Sequence, residues 1–514
     1  MNKPNHNDIG KSALLVTLMM FLFKLLGFVK QAVLAYTFGA TSLTDSYFIA
    51  WGFISGISEA MVKSMSVSLV AVYTSLRIRE GKREAAKLIN GVIELVCPVF
   101  VLIAVMLIIS SPTMASVLAP SYNEGKRYEL IQYLKVLAPV LVFGCFEMTL
   151  GSVFDSHKSF FIPRLQSLIY SVSVILFCFA LSSTIGVTSL VLAQYSSSAL
   201  FSLILVLFVR RYHSFFFIKL KDIPELKTLM KTALPLFIGN SVLQLNQIVD
   251  KSLSSALVPG ATSALSYCHT LEQLVTNIMI VNIGNVLFAN FTTFVAEDNL
   301  DSIQRSLSRA LNLLICLLVG LAVIVAFMAE DIVSIVYMRG NFSNDAVLLT
   351  SAALVGYAFS FPAVAVRDLT VKSLYAFKET TKPMLASILS IAVNICLSVT
   401  LSRMLGLFGI AFATSISALI GMLLNANSLK KYVPSFHYSE QFVVAIKCLP
   451  GAFVLAVICM VEKRFLTVGH LSAFLLAVGI GSPLYLMLLY LVKIEEIQLL
   501  ARQCLSHFQG FIKK

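Results

Sequence analysis

Charged residues are scarce in this chain. Only 13% of its 514 residues are Asp, Glu, Lys or Arg, 58% are apolar, and the mean hydropathy is +0.87. Soluble domains usually carry about 25% charged residues and rarely expose large apolar patches. A soluble fold cannot bury this excess of apolar side chains, so the composition predicts a membrane protein.

Metal, redox and enzyme motifs are also missing. The nine cysteines are scattered without CxxC or Cys/His spacing, which favours small buried residues over redox or metal roles. The chain has no P-loop, HExxH or GxSxG motif. It is therefore predicted not to be an enzyme and to need no organic cofactor. If the chain were a transporter, the lack of a nucleotide site would leave a Na⁺ or H⁺ gradient or the membrane potential to drive it.

The chain contains long runs of apolar residues without any charge. Leu311–Met328 and Leu471–Val492 are long enough to cross a bilayer as helices, and their continuity excludes the short alternating strands of a barrel. Hydropathy predicts about fourteen spans. They lie near residues 12–36, 44–75, 86–111, 128–153, 161–181, 187–209, 226–257, 262–295, 304–328, 347–373, 384–404, 408–430, 441–461 and 470–492.

The net charge of +13 follows the positive-inside rule. With a cytoplasmic N-terminus, most Lys and Arg residues fall in cytoplasmic loops, whereas the outer loops 37–43, 182–187 and 257–261 carry none. The basic excess thus marks topology and does not predict a nucleic-acid partner. Both termini are predicted to be cytoplasmic, in a bacterial cytoplasmic membrane.

The chain repeats itself. Pro163–Tyr212 aligns without a gap on Pro383–Tyr432 at an offset of 220 residues, and Gly39–Ser42 recurs as Gly260–Ser263 at an offset of 221. Two matches at nearly one offset predict two halves with the same helix orientation, an arrangement that places a transporter's substrate between its lobes.

The predicted fold is an all-α polytopic membrane protein with two pseudo-symmetric six-helix lobes and two extra C-terminal helices. The predicted lobes are residues 1–215, with spans 1–6, and 216–433, with spans 7–12. Residues 434–492 hold spans 13 and 14. The tail 493–514 is predicted to be an amphipathic helix on the cytoplasmic surface.

Ionisable residues inside spans are costly and indicate function. Lys30 and Lys251 occupy equivalent positions of the repeat, and Lys24 lies about 120° from Lys30 around the first helix. Cations that converge between lobes would suit a diphosphate, because ammonium groups pair with phosphate oxygens. Lys63 and Arg367 are further candidates.

Three of the charged candidates have structural alternatives. Glu59 and Lys63 stand four residues apart and could neutralise each other. Asp45, at the start of span 2, could cap that helix instead of facing the substrate.

Several short motifs along the whole chain are familiar. They are Leu25–Lys30, Phe38–Ala40, Thr44–Phe48, Tyr337–Phe342, Ala376–Pro383, Asn394, Leu405–Gly406 and Ala413–Ala418. Together they resemble the MurJ family, the lipid II flippases of peptidoglycan synthesis, within the multidrug, oligosaccharidyl-lipid and polysaccharide exporters. The resemblance implies fourteen spans, alternating access, and a groove from spans 13 and 14 for the lipid tail.

The resemblance also carries over to individual residues. Two family arginines fall on Lys24 and Lys30, and a family acid falls on Asp45, so these residues are implied to bind the diphosphate. Two further cavity arginines fall near Ser58 and Thr270, where this chain has no cation.

A sodium site of some family members is matched in residue type by Asp250, Asn394 and Thr414. Oxygen ligands suit a hard cation. Hydrogen bonding between helices is the alternative role for Asn394 and Thr414.

The leading hypothesis is a flippase for an undecaprenyl-diphosphate-linked saccharide, with lipid II as its first candidate cargo. Its partners would be that lipid, the bilayer and the cell-wall synthesis enzymes. One alternative keeps the fold but carries a capsule, O-antigen or teichoic-type glycan. A cation-coupled drug antiporter would need an acidic cavity, and a polyprenyl-sugar glycosyltransferase would need carboxylates near an outer loop. A non-catalytic scaffold would not need charges inside its spans.

Overall fold

The apolar runs form helices. The computed structural model describes residues 6–216, 223, 225–465 and 469–502, and no strand occurs within these ranges. The helices are α1 His6–Phe38, α2 Ser42–Arg79, α3 Lys82–Leu118, α4 Glu124–Leu137, α5 Leu141–Ser156, α6 Phe161–Ile185, α7 Thr188–Val209, α8 Glu225–Ser255, α9 Ala261–Thr276, α10 Asn282–Ala296, α11 Leu300–Phe327, α12 Ala329–Tyr337, α13 Asn344–Ala358, α14 Phe361–Ala376, α15 Thr381–Leu429, α16 Ser439–Phe465, α17 His470–Leu476 and α18 Ser482–Leu491.

The predicted membrane class is confirmed. Among the described residues, ten helical segments are long and apolar enough to cross a bilayer, or eleven if α13 and α14, bent by 49°, form one span. The 49-residue α15 would be about 74 Å long if straight, far more than a bilayer needs, and its backbone breaks at Gly406. It therefore contains two of the predicted spans. The total of fourteen stays a prediction.

Three other helix junctions are short irregular turns, and local sequence explains the first of them. Pro139 lies in a 3₁₀ turn, Ala138–Val140, that joins α4 to α5, because proline cannot donate a helical hydrogen bond. Single π-helical turns at Asn277–Val281 and Ala477–Gly481 join α9 to α10 and α17 to α18.

The sequence repeat is present in the backbone. Gly186, between α6 and α7, has φ 56° and ψ −139°, and Gly406, 220 residues later, has φ 60° and ψ −137°. Lys158 and Lys378, another pair at the same offset, have φ of 59° and 61°. The two halves thus have the same unusual backbone angles at equivalent positions, as expected if their helices are connected in the same way.

The chain forms two compact units. One holds Met1–Ser263 with Arg339–Phe342, and the other holds Ala264–Met338 with Ser343–Lys514. In the first unit α2 packs on α5 and α8, and α6 packs on α1 and α7. In the second unit α11 packs on α16, and α15 packs on α13 and α14. The first unit extends beyond the predicted lobe boundary at residue 215 because α8 packs along α2.

The cysteines are spread through both units. The eight in the described ranges are free of disulfides, and six of them are buried. Cys316 and Cys448 lie with their Sγ atoms 3.7 Å apart, between α11 and α16. Cys504 lies outside the described residues, as does the tail beyond residue 502; residues 495–502 are helical.

Candidate substrate-binding site

Asp45 caps a helix, but not its own. Thr41 is the N-cap of α2, in a reciprocal capping box with Thr44. The Asp45 carboxylate instead accepts hydrogen bonds from the Gly260 N–H at 2.6 Å and the Ser263 N–H at 2.7 Å, where α9 begins. A carboxylate at a helix N-terminus accepts hydrogen bonds from unpaired N–H groups and interacts favourably with the positive end of the helix dipole. Sequence reasoning placed this cap on the wrong helix, because the two segments meet only in the folded chain.

The turns of the repeat are packed without room for side chains. A Cβ at Gly260 would lie 2.4 Å from the Ala40 carbonyl oxygen, and one at Gly39 would lie 2.2 Å from the Asn341 carbonyl oxygen. Asn341 also donates its N–H to the Tyr36 carbonyl at 2.9 Å. Residues 339–342 are thereby held against the end of α1. Glycine is required at both turns, where φ is also positive.

Lys30 is held by an aromatic ring. Its Nζ lies 4.4 Å from the centre of the Tyr170 ring, and that ring lies 6.4 Å from the ring of Trp51. A desolvated ammonium over an aromatic face is stabilised by about 2 kcal/mol. Lys30 therefore keeps a defined position inside the first unit without a carboxylate partner among the described residues.

Lys251, the repeat partner of Lys30, is inserted against α2. Its Nζ donates to the Phe48 carbonyl at 3.3 Å. A Cβ at Gly52 would lie only 2.1 Å from this Nζ, so the glycine makes room for the ammonium. Lys251 thus contacts α2 directly at Gly52, whereas Lys30 contacts the Tyr170 ring, which packs near Trp51.

The other predicted cations are less closely held. Lys24 is exposed on α1, and Lys63 is ion-paired with Glu59, as the alternative interpretation predicted. Arg367 lies on α14 in the second unit, where a Cβ at Gly421 would lie 3.2 Å from its Cδ. Its position relative to the lysines of the first unit stays a prediction.

Two of the predicted sodium ligands lie together. Asn394 donates its amide to Thr414 Oγ1 at 3.1 Å, within the second unit, and accepts a bond from Ser398 at 3.4 Å. This matches the predicted alternative of bonding between helices. Asp250 belongs to the first unit and accepts from Asn246 at 3.5 Å. The oxygen donors fit a hard cation in type, and sodium binding stays a prediction.

A cavity of about 490 Å³ lies inside the first unit, between α2, α5, α6 and α7. We call it the α2–α7 cavity. It is lined by Trp51, Ile54, Ser55, Ser58, Glu59, Val62, Lys63, Val140, Leu141, Gly144, Glu147, Gln166, Ser167, Tyr170, Gln194, Ser197 and Ser198. Sequence reasoning missed its two glutamines, although uncharged polar residues inside apolar spans could have signalled it.

Comparison with known proteins gives consistent results. The family model described as "Lipid II flippase MurJ" matches residues 34–479. A probable lipid II flippase MurJ of Thermotoga maritima is 26% identical over 496 residues, covering 96% of this chain and 98% of that protein. A protein of the same description from Rickettsia prowazekii is 23% identical and covers 94% and 98%.

Solved structures share the fold. A lipid II flippase MurJ in an inward closed conformation superposes with a TM-score of 0.81 at 22% identity, covering 92% of this chain and 98% of that one. A MATE family multidrug resistance transporter, solved facing inward, gives 0.67 at 13% identity and covers 80% and 95%. Since the family model spans most of the sequence, this chain belongs to the MurJ family.

Proposed function

We propose that this protein is a flippase that moves lipid II, an undecaprenyl-diphosphate-linked saccharide, from the cytoplasmic to the outer leaflet for peptidoglycan synthesis. The observation that carries the proposal is the family match over residues 34–479, together with relatives named as lipid II flippases along nearly their whole length. The protein is a transporter and not an enzyme, and its apolar helices make it a multi-pass membrane protein.

The lysines of the repeat are the proposed diphosphate ligands. Lys30 and Lys251 are positioned by Tyr170 and by the Phe48 carbonyl, and neither is ion-paired to a carboxylate in the described ranges. An ammonium pairs with phosphate oxygens as a point charge, without the forked geometry of arginine. Lys24, exposed on α1, and Arg367, on α14, are further proposed ligands of the head group.

Asp45 takes a different role in this proposal. Its carboxylate is only 3% exposed, and backbone and hydroxyl donors occupy both of its oxygens. The negative charge of this carboxylate would repel a diphosphate, and the carboxylate has no hydrogen to donate to phosphate oxygens. Asp45 instead holds the turn at residues 260–263 against α2.

The remaining parts of the proposal follow from the family. Fourteen spans would form two six-helix lobes, with both termini in the cytoplasm and spans 13 and 14 along the lipid tail. Rocking of the lobes would carry the head group across while the tail stays in lipid. The driving force would be the membrane potential or a gradient of Na⁺ or H⁺, and cell-wall synthesis enzymes would use the product.

Complementation tests the proposal. The gene is expressed in a bacterium depleted of its own lipid II flippase, and growth is expected to be restored. The double variant Lys30→Ala/Lys251→Ala is expected to fail at unchanged membrane abundance. Full growth of the double variant would contradict the diphosphate ligands. Failure of the wild-type protein, at normal abundance, would instead point to another lipid-linked glycan as the cargo.

A further inference from the structure

The α2–α7 cavity has the surface chemistry of a site for an uncharged polar ligand. Most of its polar groups are serine hydroxyls and the amides of Gln166 and Gln194. A lipid tail or an apolar drug would offer no donor to Gln194 Oε1, the lining acceptor that is buried without a partner, and such a group costs about 1–3 kcal/mol. The cavity therefore does not suit an apolar ligand.

A phosphate group is equally unsuited to the cavity. Two carboxyl groups, Glu59 and Glu147, line it, against the single cation Lys63, which Glu59 already pairs with. Glu147 accepts a hydrogen bond from Gln166 at 2.6 Å and forms no ion pair in the described part of the chain. An anion would therefore find no unpaired cation among the lining residues.

One buried group in the cavity lacks a partner. Gln194 is 8% exposed, and its Nε2 donates to Ser198 Oγ at 3.3 Å. Its Oε1 accepts no hydrogen bond from any described residue. Buried acceptors without donors are rare and call for an explanation. A ligand hydroxyl or amide N–H in the cavity would supply the missing donor.

Aromatic rings connect the cavity to the proposed diphosphate ligand. Trp51 and Tyr170 both line it, and the Tyr170 ring also holds Lys30 Nζ at 4.4 Å. Aromatic rings with hydroxyl, amide and carboxyl groups around them can bind the apolar faces and the hydroxyls of a sugar at the same time. A head group with its diphosphate on Lys30 would place its first sugar beside this cavity.

We propose that the α2–α7 cavity is the subsite for the saccharide of the lipid-linked substrate, with Gln194 as a hydrogen-bond acceptor for it. The proposal rests on the proposed function. It assigns the two parts of the head group to two neighbouring binding sites. Lys30 holds the diphosphate, and the cavity holds the sugar. Gln194 and Glu147 would then distinguish a sugar-bearing lipid from undecaprenyl diphosphate alone.

Binding of two lipids to two variants tests this division. Trp51 is the only tryptophan in the chain, so its fluorescence reports directly on the cavity. Purified full-length protein is titrated in detergent with lipid II and, separately, with undecaprenyl diphosphate. Gln194→Leu is expected to weaken lipid II binding about tenfold and to leave undecaprenyl diphosphate binding unchanged. Lys30→Ala is expected to weaken both.

The outcomes separate the two proposals. Retained binding of undecaprenyl diphosphate shows that Gln194→Leu is folded, and Gln304→Leu on α11 serves as a matched control. Equal loss of both lipids in Gln194→Leu, or no loss of either, would overturn the sugar subsite while the flippase proposal stands. If the wild-type protein binds undecaprenyl diphosphate as tightly as lipid II, the subsite is wrong. If it binds neither lipid, both proposals fail.

Discussion

Asp45 and Ser263 are joined by two hydrogen bonds across 218 residues of sequence: Asp45 Oδ1 accepts from the Ser263 N–H and from the Ser263 hydroxyl, each at 2.7 Å. Asp45 Oδ2 accepts from the Gly260 N–H at 2.6 Å. The carboxylate thus ties the start of α2 to the start of α9, at the two turns that the sequence repeat relates.

Replacement of this carboxylate is expected to destabilise the protein. In Asp45→Asn the amide nitrogen would face the Gly260 or Ser263 N–H, and the charge would be lost. Hydrogen bonds to charged groups contribute about 1.5–3 kcal/mol, so the free energy of unfolding should fall by about that amount. Ser263→Ala removes only the hydroxyl and should cost about 1 kcal/mol. Unfolding in detergent measures both, and an Asp45→Asn variant as stable as the wild type would disprove this role of Asp45.

Gly52→Ala is expected to displace the Lys251 ammonium. The new methyl group would lie 2.1 Å from Nζ, so the side chain would have to leave the Phe48 carbonyl. Alanine favours a helix over glycine by about 1 kcal/mol, so lost helix stability would not explain a defect. Reconstituted vesicles should show at least a tenfold fall in lipid II flipping. Gly151→Ala on α5, where a Cβ meets no atom within 4 Å, is the control and should flip normally.

Gly186→Ala and Gly406→Ala are expected to destabilise the protein through backbone strain, without any side-chain clash. Neither position has an atom within 4 Å of a Cβ, yet each has φ near 60° with ψ near −138°, where only glycine is comfortable. Each change should lower the free energy of unfolding by about 1–3 kcal/mol. Gly239→Ala in α8 has equally open surroundings and a helical backbone, and should not lower stability. Equal stability of all three variants would contradict the strain argument.

His213 is expected to make stability depend on pH. It follows α7, is only 3% exposed, and donates from Nε2 to Asn90 Oδ1 at 3.0 Å, because the Asn90 amide itself donates to the Ser214 carbonyl. Its Nδ1 has no partner among the described residues. Burial lowers the pKa of His213 from 6.5 to about 4.

The direction of the effect follows from that lowered pKa. Between pH 6.5 and 4 the unfolded chain binds a proton that the folded chain does not. The contribution of His213 to the free energy of unfolding is therefore complete above pH 6.5. As the pH falls towards 4, up to about 3 kcal/mol of this free energy is lost. Melting at pH 7.5 and pH 5 measures the loss. His213→Gln should reduce this dependence, and a matching change at exposed His437 should not.

The general features of the protein could be predicted from the sequence. Membrane insertion and helical structure depend on local apolar content, which adds up along the chain without reference to its partners. The repeat needed only an alignment of the chain with itself, and the backbone at Gly186 and Gly406 agrees with it. Family motifs such as Leu25–Lys30 pointed to the family that the comparison then showed.

The roles of individual polar residues could be predicted only in part. The pairing of Lys63 with Glu59 was foreseen because both lie on one helix, four residues apart. The role of Asp45 was misplaced because its donors lie more than 200 residues away. Nothing in the sequence connects Glu147 on α5 with Gln166 on α6 or Gln194 on α7.

What the sequence alone determined is therefore the scarcity of charge, the helical membrane class, the repeat and the family, because each is a property of local composition or of matching segments. The tertiary structure decided which helix Asp45 caps, why Gly52 must lack a side chain opposite Lys251, and that Trp51 and Gln194 line one cavity. These relationships join residues on different helices, and only the packing of those helices brings their atoms within hydrogen-bonding or van der Waals distance.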